Sequence, residues 1–129
     1  MLDKVLLLGL VALPLPLSAQ TAERPLTRLR YNRAAVPPDC PDQTELRDAI
    51  TGQLGYNPFW EDAPRTLSVQ LASDEQLHAK LELRDGSGRL LGVRLLTAER
   101  QDCRGLAAAL VLAINIAIDP LFRSRPRSP

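Results

Sequence analysis

The chain has 129 residues, which is enough for one domain and little more. Its 45% hydrophobic content is ordinary for a globular protein, and its net charge is only +1. Two cysteines and one histidine are too few soft ligands for a typical zinc site. The sequence also contains no CxxC redox motif.

The first 19 residues predict a secretory signal peptide. Lys4 precedes an apolar run over residues 5–17, and Leu-Ser-Ala offers small residues for cleavage after Ala19. The run is too short to span a bilayer comfortably, and its two prolines would interrupt a helix. Because Asp3 weakens the positive start, a retained N-terminal anchor stays open. We expect a periplasmic or secreted protein.

Export determines how the cysteines are interpreted. Disulfides persist in oxidising compartments, and two cysteines allow one intramolecular pairing, Cys40 with Cys103. A structural disulfide is therefore predicted, with free or intermolecular thiols as the alternative.

The chain after the signal peptide divides into three segments by composition. Residues 20–36 carry four arginines against one glutamate and predict a basic flexible linker. Residues 37–120 are predicted to form the folded domain, with eight basic and thirteen acidic residues. Residues 121–129 carry three arginines and two prolines and predict a disordered basic tail.

The domain opens with a predicted amphipathic helix. Its apolar stripe is Leu46, Ile50 and Leu54, with Ala49 alongside. Pro41 suits the first helical turn, Asp42 and Glu45 complement the helix dipole, and Gly55 predicts a left-handed stop.

Three strands should follow. Alternation places Leu67, Val69 and Leu71 on one face of the first strand, and Leu77, Ala79, Leu81 and Leu83 on one face of the second. Turns are expected at 73–76 and 85–88, the second with two glycines for positive φ. The third, "RLLGVRLLT", is apolar on both faces, so greater burial is predicted, with Gly92 allowing close approach.

A second helix is predicted after Asp102, which suits an N-cap, with Cys103 in its first turn. Its apolar stretch, residues 106–118, contains one polar residue, Asn115. At 1.5 Å per residue it spans about 20 Å, less than the roughly 30 Å hydrocarbon layer. We expect a buried helix and no transmembrane span in the mature chain.

The predicted fold is therefore α+β, a three-stranded antiparallel sheet covered by two helices in αβββα order with one disulfide. The last helix is apolar nearly all round, so part of its surface should meet either the linker residues Leu26, Leu29 and Tyr31 or another protein.

Signals for catalysis are weak. His78, the one histidine, falls on the polar face of a strand with no nucleophile nearby. The carboxylate pairs lie where caps and turns favour acidic residues: Asp39/Asp42, Glu61/Asp62 and Asp74/Glu75. We expect no enzyme activity, no metal and no cofactor.

An aromatic cluster is the best candidate for a binding site. Tyr56, Phe59 and Trp60 lie within five residues of each other. They either close the open end of the core or form an exposed contact patch for a protein partner. Both apply if Phe59 is buried while Trp60 stays partly exposed.

The segments "DC…LGYNPF", "LHAKLELRDGSGRLLGVRLL" and "DCRGLAAALVLAINIAIDP", together roughly residues 39–120, resemble a recurring uncharacterised domain of exported bacterial envelope proteins. The resemblance implies a Cys40–Cys103 bond and supplies no catalytic residues.

The sequence favours a non-catalytic binding or scaffolding module of the bacterial cell envelope with a protein partner. A small secreted inhibitor or effector acting on a hydrolase is the alternative. The exported location argues against nucleic acid, whereas the arginine-rich ends suit peripheral contact with an anionic surface. Alternatively, these ends only solubilise the protein.

Overall fold

The computed structural model describes residues 26–33, 36–99 and 101–119. The elements, in chain order, are β1 (Thr27–Asn32), α1 (Gln43–Leu54), β2 (Arg65–Ser73), β3 (Leu77–Arg84), β4 (Leu90–Ala98) and α2 (Cys103–Ile118). The predicted signal peptide, residues 1–19, and the predicted tail, residues 121–129, lie outside the described residues.

The strands form one sheet in the order β1-β2-β3-β4. β1 is parallel to β2, and the other two pairs are antiparallel. The α+β class, the two helices and the disulfide are confirmed. The predicted three-stranded antiparallel sheet was wrong, because a fourth strand makes the sheet mixed.

The additional strand, β1, lies within residues 20–36, the segment predicted to be a flexible linker. Thr27, Leu29 and Tyr31 alternate with Arg28 and Arg30. This period of two covers only five residues, but it is the period of a β-strand with one buried face. Leu29 pairs with Leu67 across the β1–β2 ladder and is buried in the core. The linker prediction was therefore wrong for residues 27–32, since apolar burial holds them in the sheet.

Two side chains, one on β1 and one directly after it, bind the segment that precedes α1. The Tyr31 hydroxyl donates a hydrogen bond to the Pro41 carbonyl at 2.7 Å, and Arg33 donates to the Cys40 carbonyl at 2.6 Å. Burial raises the pKa of Tyr31 to about 12, because the charged phenolate is poorly solvated there. The neutral hydroxyl thus acts as a structural donor.

The start of α1 is a capping box. The Asp42 carboxylate accepts from the Glu45 amide at 2.8 Å, and the Asp42 amide donates to the Glu45 carboxylate at 3.1 Å. Pro41 therefore precedes the N-cap instead of lying in the first turn. Gly55 ends the helix with φ 84° as predicted, and Ala49 is exposed, so it is not part of the buried stripe.

The alternation predicted for β2 and β3 is confirmed, and it assigns one inner face to the sheet. The buried residues on that face are Leu67, Val69, Leu71, Leu77, Ala79 and Leu81. In the β3–β4 turn, the Asp85 carboxylate accepts from the amides of Ser87 at 2.9 Å and Arg89 at 3.0 Å. Of the two turn glycines, only Gly88 has positive φ, 85°.

β4 is an edge strand, and the prediction that it is the more buried strand was wrong. Leu90, Leu91, Val93 and Leu95 are all exposed. No atom lies within 4 Å of a Cβ built on Gly92, so nothing approaches that glycine closely. The run is apolar on both faces, but among the described residues β4 has a strand neighbour on one side only.

α2 supplies the largest part of the core. Asp102 is its N-cap, accepting from the Gly105 amide at 2.8 Å, and Asp119 is its C-cap. Its buried residues are Cys103, Leu106, Leu110, Val111, Ala113, Ile114, Asn115 and Ile118. No helix in the described part of the chain combines the length and apolarity that crossing a membrane requires.

Polar contacts hold the C-terminal half of α2. Asn115, the polar residue in its apolar stretch, donates from its side-chain Nδ2 to the side-chain Oε1 of Gln53 in α1 at 2.8 Å. Arg65, at the start of β2, donates to the Ile118 carbonyl at 3.1 Å, which places a cation at the negative end of the helix dipole. α2 therefore runs from the end of β4 towards the start of β2.

The Cys40–Cys103 disulfide joins the segment before α1 to the first residue of α2. The two Cα atoms are 5.1 Å apart, and both cysteines are buried. Because the bond closes a loop with a sequence separation of 63, it removes much conformational freedom from the unfolded chain.

We expect the double substitution Cys40→Ser and Cys103→Ser to lower the free energy of unfolding by about 4 kcal/mol. Urea denaturation of the oxidised protein and the double variant measures the difference. Reductant should produce a similar loss in the wild type and no change in the double variant. Equal stability of the oxidised protein and the variant would contradict a stabilising bond.

We expect Leu29→Ala to cost about 3 kcal/mol, because it leaves a cavity between β1 and the core. Leu26→Ala is the matched control: Leu26 is 42% exposed, and removing its side chain should cost less than about 0.5 kcal/mol. Both values come from denaturant unfolding. A small effect at both positions would show that β1 adds little to the fold.

Candidate partner-binding surfaces

The three aromatic residues predicted to bind a partner do not form one exposed patch. Phe59 is buried in the core, and Tyr56 is half-buried, its hydroxyl donating to the Asp119 carboxylate at 3.1 Å. Trp60 alone is open to solvent, with 58% of its surface exposed. The residues thus close the end of the core while presenting one aromatic ring.

The loop that carries these rings also covers the beginning of β1. The Thr27 amide donates to the Pro58 carbonyl at 2.8 Å, and the Trp60 amide donates to the Thr27 carbonyl at 3.0 Å. The Arg47 guanidinium lies over the Phe59 ring, 5.7 Å from its centroid. A cavity of about 30 Å³ beside Trp60 is the size of one water molecule, too small for a ligand.

The described arginines of the basic segment are partly used within the fold. Arg28 donates to the Glu61 carbonyl at 2.7 Å, and Arg33 binds the Cys40 carbonyl. Arg30 is exposed. Contact of this segment with an anionic surface stays a prediction, and it would depend chiefly on Arg30 among these residues.

His78 lies on the outer face of β3 and pairs with a neighbouring turn residue. Its Nε2 atom is 2.8 Å from Asp74 Oδ1. The hydrogen bond from the Gln76 amide, together with His78, lowers the pKa of Asp74. The pair is solvent-exposed and joins the β2–β3 turn to β3.

The paired carboxylates occupy caps and turns, as expected. Asp42 is an N-cap, while Glu61/Asp62 and Asp74/Glu75 lie in turns or bends. Within residues 26–33, 36–99 and 101–119, no three potential ligands cluster closely enough to hold a metal ion.

A run of exposed apolar side chains follows β4. On the outer face of this strand, Val93 is 51% and Leu95 is 69% exposed. They lie opposite Glu82 and Lys80 of β3, so the outer face changes from charged to apolar at the edge of the sheet. Single exposed apolar residues are common, but neighbouring ones that form a continuous patch often mark an interaction site.

The inner side of the same edge opens into a groove of about 260 Å³. The groove forms because α2 crosses the sheet diagonally, from the end of β4 to the start of β2, and leaves the first half of β4 uncovered. Its lining is Leu67, Leu81, Leu83, Leu91, Gly92, Val93, Arg94, Ala113, Ile116 and Ala117. We call β4 together with this groove the β4 edge surface. It contains one charged residue, Arg94.

Arg94 is on the inner face of β4, opposite the buried Leu81. Its own side chain is exposed, and none of the groove-lining residues is acidic. Within the described ranges, the guanidinium of Arg94 makes no hydrogen bond and no ion pair with another residue. The guanidinium therefore adds a cation to an otherwise apolar groove.

Sequence reasoning missed this surface, although its signal was present. The run "RLLGVRLLT" is apolar on both faces, which suits either a central strand with cover on both sides or an edge strand with an interface. The choice depends on sheet order, which local periodicity does not report.

No family model matches the sequence, and a search of curated proteins finds none that is significantly similar. The resemblance to an exported envelope domain stays a prediction.

We expect Asp74→Asn to destabilise the protein at pH 7 and to have little effect near pH 2. A carboxyl group with a lowered pKa in the folded state stabilises that state above its unfolded pKa of 3.8, and this contribution is lost as the pH falls through the folded value. Thermal unfolding at both pH values measures the difference. Asp48→Asn, on the exposed face of α1, is the control; equal pH dependence in both variants would contradict the assignment.

Proposed function

We propose that the protein is a non-catalytic protein-binding module of an exported compartment, in the bacterial cell envelope or outside the cell. The disulfide supports the oxidising location, because such bonds persist in exported proteins. The predicted signal peptide is consistent with it. A domain of this size has a small core, and a disulfide offsets the limited apolar burial of such domains.

One observation supports binding above the others: the exposed apolar edge of β4. An edge strand presents backbone N–H and C=O groups that can pair with another strand. Native proteins usually protect such edges with charged residues, short strands or covering loops. β4 has nine residues, of which only Arg94 is charged, and no described segment covers it. Its one register irregularity against β3 lies near Leu91, at the beginning of the strand, and leaves the pairing over Gly92–Ala98 regular.

The opposite edge of the sheet, β1, is protected against pairing with another strand. β1 has six residues, carries Arg28 and Arg30 on its outer face, and pairs at its beginning with the loop around Phe59. Since the protein protects one edge and leaves the other apolar, we attribute the difference to function.

The proposed contact surface therefore moves from the aromatic turn to the β4 edge surface. Trp60 lies beside β1, across the sheet from β4. Leu112 of α2 is 47% exposed but does not line the groove, so it belongs to a separate part of the surface. Both positions serve as internal comparisons for β4.

Site-specific photocross-linking in the native envelope tests the proposal. A photoreactive residue at Leu95 should give a discrete adduct with one protein, because this is the most exposed apolar side chain of the edge. When the photoreactive residue replaces Trp60 or Leu112 instead, this adduct should not form.

Identical adducts at all three positions, or none at Leu95, would argue against a specific surface on β4. Mass spectrometry of the adduct identifies the linked segment. Secretion of each variant and its intact disulfide confirm that the substitutions leave folding unchanged.

A further inference from the structure

Building on the protein-binding function proposed above, we infer that the β4 edge surface binds an extended peptide segment of a partner as a fifth strand. We infer in addition that this segment carries a carboxylate side chain, which pairs with Arg94, between apolar residues. The two claims follow from different features of the edge.

Strand addition follows from the shape of the edge. From Gly92 to Ala98, β4 pairs with β3 in a regular antiparallel register, and the register shifts only beyond Gly92, nearer the turn. Over this regular part, the hydrogen-bonding pattern of the ladder can continue to a further strand. Such a strand gains affinity from backbone hydrogen bonds and specificity from alternate side chains. Its outward residues would cover Val93 and Leu95.

The inward residues of the added strand would enter the groove. Leu81 and Leu83 of β3 form part of its floor, and Ala113, Ile116 and Ala117 of α2 form its wall. The small alanine side chains leave the space that the groove occupies. Apolar residues of a partner would fill this space and remove apolar surface from water.

Arg94 determines the charge of the partner. It lines the groove among apolar residues, where a carboxylate brought by a peptide would be shielded from solvent and would form a charge-assisted, bidentate pair. A lysine in the peptide would instead repel it. Glu82, which lies across the ladder from Val93, is not the carboxylate partner of Arg94, because it faces outwards and pairs with Arg84 and Lys80.

The same arginine disfavours a second copy of this chain as the occupant. In a two-fold antiparallel pairing of β4 strands centred on Val93, Arg94 or Leu95, the two Arg94 residues lie directly opposite or diagonal to each other. Their Cβ atoms are then about 5–8 Å apart, and like charges at such positions destabilise a sheet. The groove lining offers no acidic residue to offset them.

The C-terminal segment of this chain is also a poor match by charge. Residues 121–129 contain three arginines and no aspartate or glutamate. Self-occupation by this segment would add cations beside Arg94. A partner segment with a carboxylate is the occupant that the charges favour.

The test measures binding of a fluorescein-labelled peptide, Ser-Val-Ala-Val-Glu-Val-Ala-Val-Ser, to the oxidised protein by fluorescence anisotropy. Its glutamate and alanines share one face, and its valines share the other. Matched peptides carry glutamine or lysine in place of glutamate. We expect the glutamate peptide to bind about tenfold more tightly than the glutamine peptide, and the lysine peptide to bind most weakly.

Charge reversal gives the sharpest comparison. With Arg94→Glu, the lysine peptide should become the tightest of the three, because the sign of the pair is exchanged. Since Arg94 is exposed, this variant should fold normally, and circular dichroism checks that it does. Leu95→Ser should weaken binding of all three peptides, whereas Leu112→Ser, at another exposed position away from the groove, should weaken none.

A peptide that is N-methylated at alternate residues tests the strand pairing separately, because it keeps the side chains and loses backbone donors. Undiminished binding of this peptide would overturn strand addition. An unchanged order of the peptides in Arg94→Glu would overturn the carboxylate pair.

Two further outcomes would also overturn the inference. If sedimentation shows a dimer that Leu95→Lys dissociates, the edge binds a second copy. If no peptide binds while the Leu95 cross-link persists, the inference fails and the proposed protein-binding function stands. If both experiments fail, the proposed function fails as well.

Discussion

The packing of α2 against one face of the sheet is the interaction on which the rest of the structure depends. Without it, the inner sides of β2 and β3 would expose a continuous apolar surface to water. The fully buried residues that make this contact are Leu106, Leu110, Ile114 and Ile118. The disulfide fixes the beginning of the helix and Arg65 binds its last carbonyl, so both ends are held in register with the sheet.

The direction of α2 also explains where the protein stays open. The helix begins just after β4 and ends near the start of β2, so it crosses the sheet and leaves the first half of β4 uncovered. Polar contacts at its far end, Asn115 with Gln53 among them, join this part of α2 to α1 and β2 and not to β4. Core formation and the exposed edge thus have one cause. The edge differs from β1, where charge and a covering loop protect the strand.

Local features of the fold could be predicted because their physical causes lie within a few residues. The capping box at Asp42, the left-handed Gly55, the inward faces of β2 and β3 and the N-cap at Asp102 each depend on neighbouring residues in the chain. The disulfide was predicted from the presence of two cysteines in a chain whose first residues predict export. The split of the aromatic turn into a buried Phe59 and an exposed Trp60 was foreseen as one alternative.

The sequence by itself thus determined the α+β class, the two helices, the inward faces of β2 and β3 and the cysteine pair. Periodicity and capping depend on residues that are close together in the chain, and two cysteines allow a single intramolecular pair. Only the tertiary structure decided that residues 27–32 join the sheet and that β4 lies at its edge. Both depend on contacts between distant segments. β1 joins the sheet by pairing with β2, where Leu29 lies opposite Leu67. The first half of β4 is uncovered because α2 crosses the sheet towards β2. An apolar strand looks the same in sequence whether its neighbour is its own chain or a partner.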